Sequence, residues 1–426
     1  MSFYDYLIKL QRIFKKGRSK MKYIIKGGEF NNKGAEAMSL VAIYNIISRD
    51  SKAIIYFYDY GYKTDLIEQL AVVPFKIDLN YLKFLAGGGN WKYYGSRMKN
   101  FLKYFLKRKN YISVSDYDNV KDIIMSADYF IDISGYSLST VWGKNEIDFY
   151  LSWIKAIYMN NNNCKIILLP QSFGPFDETV DKNIIKNVLS KCNKIYVRET
   201  SGIDILHSLG LKNISFCYDS VLIEKKYKPE YVLKNYDKYI CDDIDIYDNA
   251  IGIVPNARLF DVGGFDTAVL FNMYVSIISI LISRYQVLLI PHAGEDMAIC
   301  KKLKSLFNSN ENVIFIDKVL NSFIFEKLAG KMRFIVASRY HSIVHAYRQG
   351  TPAIIIGWSD KYNEIALACS QVSYIYDPNS EKSIEKVLDV MIRNCTEMRT
   401  AILTRVKQLQ ESYDCYHFLD EDIQGI

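Results

Sequence analysis

No CxxC pair and no framework spacing occurs in this chain: its eight cysteines stand singly at 164, 192, 217, 241, 300, 369, 395 and 415. That excludes a disulfide scaffold and fits a reduced, cytoplasmic setting. Long apolar runs are lacking too. The most apolar window, 268–282, is broken by Asn272, Ser276 and Ser279 and runs out at Arg284. A spanning helix needs about 20 uninterrupted apolar residues, so this window reads as a buried helix. No GxGxxG, Walker or HExxH motif is present, no internal repeat, and no recognisable nucleic-acid-reading module.

What is present begins with charge placement. Of the net charge of +7, residues 1–22 carry seven cations against one anion, Asp5, so the rest of the chain is nearly neutral. Phe3, Tyr6, Leu7, Leu10, Ile13 and Phe14 recur at helical spacing among those cations, a basic amphipathic pattern that suits an anionic membrane surface. A solvated tail ahead of Met21 is an equal reading. A second basic amphipathic stretch, 91–109, offers the same choice between lipid docking and an ordinary core-facing helix. Neither resembles a secretory signal, because no apolar stretch leads to a small-residue cleavage site.

At 426 residues the chain exceeds the size at which one core stops growing, so two domains are expected. Short β-branched or aromatic runs alternate with helical stretches, which is the pattern of parallel α/β sheets. Six strands are expected at 23–26, 53–58, 129–133, 165–169, 194–197 and 214–217. Six more are expected at 251–254, 286–290, 313–316, 334–337, 353–356 and 373–376. The reading is an N-terminal Rossmann-like domain at 23–225, a connector at 226–249, a C-terminal Rossmann-like domain at 250–380 and a helical tail at 381–426. Two doubly wound units of this kind face a cleft formed by the carboxyl ends of their strands, where ligands bind.

Four motifs sit at those ends. Gly27 to Ala37 is a glycine-rich turn opening a helix. Pro170-Gln171-Ser172-Phe173-Gly174-Pro175 is a stiff loop that offers Gln171 and Ser172 to a polyhydroxylated ligand. Arg198-Glu199 ends a strand and is more typical of a structural ion pair than of an anion clamp. Ser338-Arg339-Tyr340-His341-Ser342, with Lys361 after the next strand, brings two cations, a helix N-terminus and an imidazole together, the chemistry of a phosphate and carboxylate site. His292 also ends a strand on that side. His341 and His345 are four residues apart, but no further ligand accompanies them, so no metal is expected.

The ordered set resembles the polysaccharide pyruvyl transferase family over about residues 23–380. It comprises Asn32-Lys33-Gly34-Ala35-Glu36-Ala37, Ser134-Gly135-Tyr136, Gln171-Ser172-Phe173-Gly174-Pro175, Val197-Arg198-Glu199, Ile290-Pro291-His292, Ser338 to Ser342, Gly350-Thr351-Pro352 and Gly357 to Lys361. It departs from the family pattern at Ala35, where many relatives have Asp, and at 132–135, where they have a run of glycines. The resemblance implies a glycosyltransferase-B-like fold, phosphoenolpyruvate as co-substrate with no cofactor, and a saccharide acceptor, lipid-linked or polymeric, in capsule, exopolysaccharide or cell-wall synthesis. It implies His341 as acid/base group with Arg339, and Arg339, Lys361, Arg198, His292 and Ser342 around the donor. Asn32, Glu36, Gln171 and Ser172 would face the acceptor. A nucleotide-sugar glycosyltransferase of the same fold, or a non-catalytic partner in a polysaccharide assembly complex, is the alternative.

Overall fold

Runs such as Ile-Gly-Ile-Val at 251–254 and Phe-Ile-Val-Ala at 334–337 are buried throughout, as strands covered on both faces must be. The computed structural model describes residues 20–60, 66–87, 114–225, 228–240, 249–261, 263–357, 359–380 and 383–420. The first half forms β1 (Lys22–Lys26), β2 (Ile54–Tyr58), β3 (Val73–Phe75), β4 (Tyr129–Asp132), β5 (Lys165–Gln171), β6 (Lys194–Val197) and β7 (Ile214–Phe216). They make one parallel sheet in the order β3-β2-β1-β4-β5-β6-β7. The second half forms β8 (Ile251–Val254), β9 (Val287–Leu289), β10 (Val313–Phe315), β11 (Phe334–Ala337) and β12 (Ala353–Ile355), parallel in the order β10-β9-β8-β11-β12. The strand order reverses between β1 and β4 in one sheet and between β8 and β11 in the other. These two switch points are where such sheets open a crevice.

Two strand expectations differ from the structure. β3 escapes the sequence pattern because it is three residues long, contains Pro74 and lies at the sheet edge with Val73 half exposed. The expected strand at 373–376 is instead a 3-10 turn, Val372–Tyr374, followed by a single bridge from Ile375 to Ile355. The basic stretch 91–109 and residues 1–19 of the N-terminal segment lie outside the described residues, as do 226–227 and 241–248 of the connector. Among the described residues no helix is long and apolar enough to cross a membrane.

The helices that bear on the site are α1 (Lys33–Arg49), α2 (Lys144–Asn160), α3 (Thr200–Ser208), α4 (Ser220–Ile223), α5 (Thr267–Leu281), α6 (Ser322–Lys331), α7 (Tyr340–Arg348), α8 (Asp360–Ala368) and α9 (Ile384–Ser412). α1 starts where the Asn32 side chain accepts from Gly34 N. It is buried from Gly34 to Ile47, on every side, which a helix adopts only when covered all round. α4, α6 and α7 pack against it, and it shares one hydrophobic core with residues of β1, β2 and β4.

Glu36, in the first turn of α1, joins the halves. One carboxylate oxygen accepts from Ser322 N at 2.8 Å, Ser322 Oγ at 3.0 Å and Tyr239 Oη at 2.8 Å, and the other pairs with Lys33 at 2.6 Å. Asn32 adds an antiparallel bridge to Ala293. α9 then returns to the first half, where Arg49 pairs with Asp414 at 3.1 Å and Asp420 at 2.9 Å.

Candidate active site

Beneath the first switch point lies a closed polar floor. Lys26, at the end of β1, pairs with Asp132 of β4 at 3.0 Å and donates to Ser134 Oγ at 2.7 Å, its ammonium 4.3 Å from the Tyr150 ring of α2. Gln171 receives the Tyr150 hydroxyl at 3.1 Å and approaches Asp132 at 3.4 Å. Gly27, at φ +100°, turns the chain over this floor, and a β-carbon there would collide with the Ser134 backbone at 2.5 Å.

One layer toward the second half, β6 ends in Arg198. Its guanidinium is buried between Glu199 at 2.7 Å, Asp219 at 3.2 Å and Ser172 Oγ at 2.9 Å, and lies 4.4 Å over the ring of Tyr340 from the second half. Ser172 donates in turn to Glu199 at 2.8 Å. Asp219 is the N-cap of α4, one oxygen accepting from Val221 N at 3.0 Å. Its other oxygen is 3.4 Å from His341 Nε2. That is ion-pair range without good hydrogen-bond alignment, since Nε2 is buried with no satisfied bond. Apo geometry of this kind commonly tightens when substrate binds.

From the second half, Arg339 is the N-cap of α7 and His341 stands in its first turn. Arg339 grips Asp296 through Nε at 2.9 Å and Nη2 at 2.5 Å, and Glu295 through Nη2 at 2.9 Å. Asp296 is itself fixed by donors from Ala257 N and Ala293 N, both at 2.9 Å. Arg339 therefore aims its fork at the loop after β9, not at Lys361, although its charge is felt there. Lys361, near the start of α8, is partly buried with its ammonium 5.5 Å from the Tyr136 ring, 5.9 Å from Tyr340 and 5.4 Å from Tyr362. Burial first, then Arg198 and Arg339, pull its pKa down to about 7. The three ring faces act the other way and favour the ammonium.

His341 is held low by burial, partly offset by Asp219 and reinforced by Arg198 and His345. His292 is lowered further, by burial first and then by its neighbours His345, Arg339, His341 and Lys33, and its Nε2 has no partner among the described residues. Both shifts favour the neutral imidazole. His345 belongs to the frame: Nδ1 meets Glu326 at 2.8 Å, which also takes Arg348 at 3.1 Å.

Four expectations do not hold in this conformation. Glu36 and Gln171 do not face acceptor hydroxyls: both are fully buried and committed, Glu36 to the joint between halves and Gln171 to the floor. Ser342 is fully buried and donates to Arg339 O at 2.6 Å, so it closes a helix turn and does not face a donor. Ser172 is spent on Arg198 and Glu199, while Asn32 keeps an exposed side chain beside Ala293. Sequence reasoning passed over Asp219, Asp296 and Tyr136. The available signal was an Asp three residues beyond β7, at 219, in N-cap position.

A cavity of about 540 Å³ lies behind α4 among Tyr44, Arg49, Glu224, Gln410 and Tyr416. It is away from the strand ends. Asp414, His417 and Asp420, beside it, have metal-ligand spacing, but Arg49 already bridges the two carboxylates.

Solved structures share this architecture. A UDP-GlcNAc 2-epimerase from Methanocaldococcus jannaschii matches with a TM-score of 0.53 at 12% identity, covering 92% of this chain and 100% of that one. HepE of Anabaena, solved with UDP and glucose, matches with a TM-score of 0.53 at 10% identity, covering 95% and 100%. No curated protein matches the chain. The fold is that of a glycosyltransferase-B-like α/β protein with two Rossmann-like domains. Within that class the chain belongs to the polysaccharide pyruvyl transferase family, whose sequence pattern matches residues 7–360, and it is a transferase of polysaccharide biosynthesis.

Proposed function

We propose that the enzyme transfers the enolpyruvyl group of phosphoenolpyruvate to two hydroxyls of a saccharide, forming a pyruvate ketal and releasing phosphate. The observation that carries this reading is the convergence of Lys361 and Arg198 on the ring of Tyr340, beside His341 in the first turn of α7, where the two halves face each other. A small donor with a phosphate and a carboxylate matches two separate cationic positions better than it matches one.

In the proposed reaction the methylene carbon of the donor gains a proton and one acceptor oxygen bonds to the carbon bearing phosphate. The carbon–oxygen bond to phosphate then breaks, and the second hydroxyl oxygen closes the ketal. The two hydroxyl protons replace the one delivered to carbon and the one that leaves with phosphate. His341 is the group proposed to move the proton at carbon. Its proton affinity is lowered at rest, so an arriving anionic donor must raise it. Lys361 holds one donor anion and Arg339 the other on exchanging its Glu295 contact, with Arg198 and His292 behind them. On the acceptor side Asn32 and Tyr136 replace the buried Glu36 and Gln171, and the ring of Tyr136, packed at 5.5 Å on Trp142, offers a sugar an aromatic face.

The test is incubation of the purified protein with phosphoenolpyruvate and a panel of saccharides, free and lipid-linked. Inorganic phosphate release together with pyruvate added to the sugar, less water, supports the reading. Release of a nucleoside diphosphate from a nucleotide sugar, with no reaction of phosphoenolpyruvate, sinks it.

A further inference from the structure

We infer that Asp219 is a positioning residue for His341, and that the pair is assembled only when the two halves of the molecule close on each other. The inference rests on the proposed role of His341 and adds what controls it.

Asp219 belongs to the first half and His341 to the second. The carboxylate is almost fully buried and has little freedom. One oxygen is fixed by Val221 N at the start of α4, and the other is shared between Arg198 Nη1 at 3.2 Å and His341 Nε2 at 3.4 Å. A carboxylate on one ring nitrogen sets the tautomer, placing the proton on Nε2 and leaving the lone pair on Nδ1. Nδ1 lies under the α-carbon of Gly34, at the mouth of α1, and has no hydrogen-bond partner among the described residues.

The groups around the imidazole show what Asp219 opposes. Arg198 comes from β6, His345 from the same helix, His292 from the end of β9, and the Tyr340 ring lies 5.2 Å away. Burial, Arg198 and His345 disfavour the imidazolium, and Asp219 favours it. An open cleft removes the carboxylate together with Arg198 and the burial, and leaves His341 a solvated imidazole with an unfixed tautomer.

A second contact ties the pair to closure. Arg348 lies seven residues beyond His341, on the same face of α7. Its Nη1 donates to Val221 O and Glu224 O, both at 2.5 Å, gripping the far end of the helix that Asp219 begins. α7 thus holds α4 at both ends, once through His341 and once through Arg348.

The test is nitrogen NMR of the full chain labelled in histidine, with His341 assigned by the signal lost in His341→Gln. In the wild type, neutral His341 should carry its proton on Nε2. In Asp219→Asn its titration should fall by about one pH unit or more, and the acid limb of the pH profile should move down with it. Arg348→Met, with Asp219 intact, should loosen the closed cleft, raise the same midpoint toward the ordinary imidazole value as burial is relieved, and reduce kcat. A neutral wild-type ring protonated on Nδ1, or an unchanged midpoint in Asp219→Asn, overturns the positioning role, and an unchanged Arg348→Met overturns the link to closure. The wild-type tautomer decides the first point even where the variant does not fold. Absence of pyruvyl transfer by the wild type would sink the proposed reaction without moving any of these spectra.

Discussion

The α-carbon of Gly34 rests on the imidazole of His341 so closely that a β-carbon built there would lie 2.1 Å from Nδ1. Gly34 is in the first turn of a helix of the first half, and His341 is in the first turn of a helix of the second. The glycine is needed because a side chain from the other half occupies its space. Gly34→Ala should therefore push the ring away from Asp219 while the fold persists. The expected loss in kcat is on the order of a hundredfold, the scale of an ångström's misplacement. Steady-state kinetics beside a thermal melt check it, and wild-type kcat would show that the ring has no fixed place in the reaction.

Replacing His341 by Gln keeps a polar group of similar size and removes the titrating nitrogen. Turnover should fall by about 10²–10⁴, the usual contribution of a positioned acid or base. Donor affinity should change little, because the cations are untouched. Phosphate release measured under saturating phosphoenolpyruvate reads kcat, and equilibrium titration with the same donor reads affinity.

Donor binding should draw a proton from solution. Burial first of all lowers the proton affinity of His341, and a bound phosphate and carboxylate reverse part of that shift. Calorimetry near pH 7.5 in buffers of different ionisation enthalpy should report net proton uptake, and His341→Gln should reduce it. Equal apparent enthalpies in all buffers would contradict the proposed protonation step.

Glu36 carries stability, not acceptor binding. Glu36→Ala leaves the amide and hydroxyl of Ser322, the Tyr239 hydroxyl and Lys33 without their shared acceptor. Breaking a buried network on one side costs about 3–5 kcal/mol. A marked fall in Tm is expected, and a rise confined to the acceptor KM with an unchanged Tm would restore the acceptor role.

Stability should also fall on mild acidification. His292 and His341 resist protonation in the fold, while in the unfolded chain they take up protons near their ordinary value of 6.5. The unfolded state then binds more protons as pH drops below about 6.5, so the stability present above that pH is progressively lost. Melts between pH 7.5 and 5 should show this, and His292→Phe, packed beside Phe325, should flatten the decline.

The chain's own pattern determined the α/β class, most strands to within two residues, and the strand-end positions of Arg198, His292, Arg339 and His341. Strand runs and turn residues are local features, and the carboxyl end of a parallel strand always faces the crevice. The sequence could not tell which polar side chains were already spent. Glu36, Gln171 and Ser342 carry the right chemistry at the right ends, yet each is consumed by a partner 3 to 286 residues away. Asp219 and Gly34 gained their meaning only when the second half closed over them. A residue's availability depends on everything packed around it, and that is fixed by tertiary contact and not by neighbours along the chain.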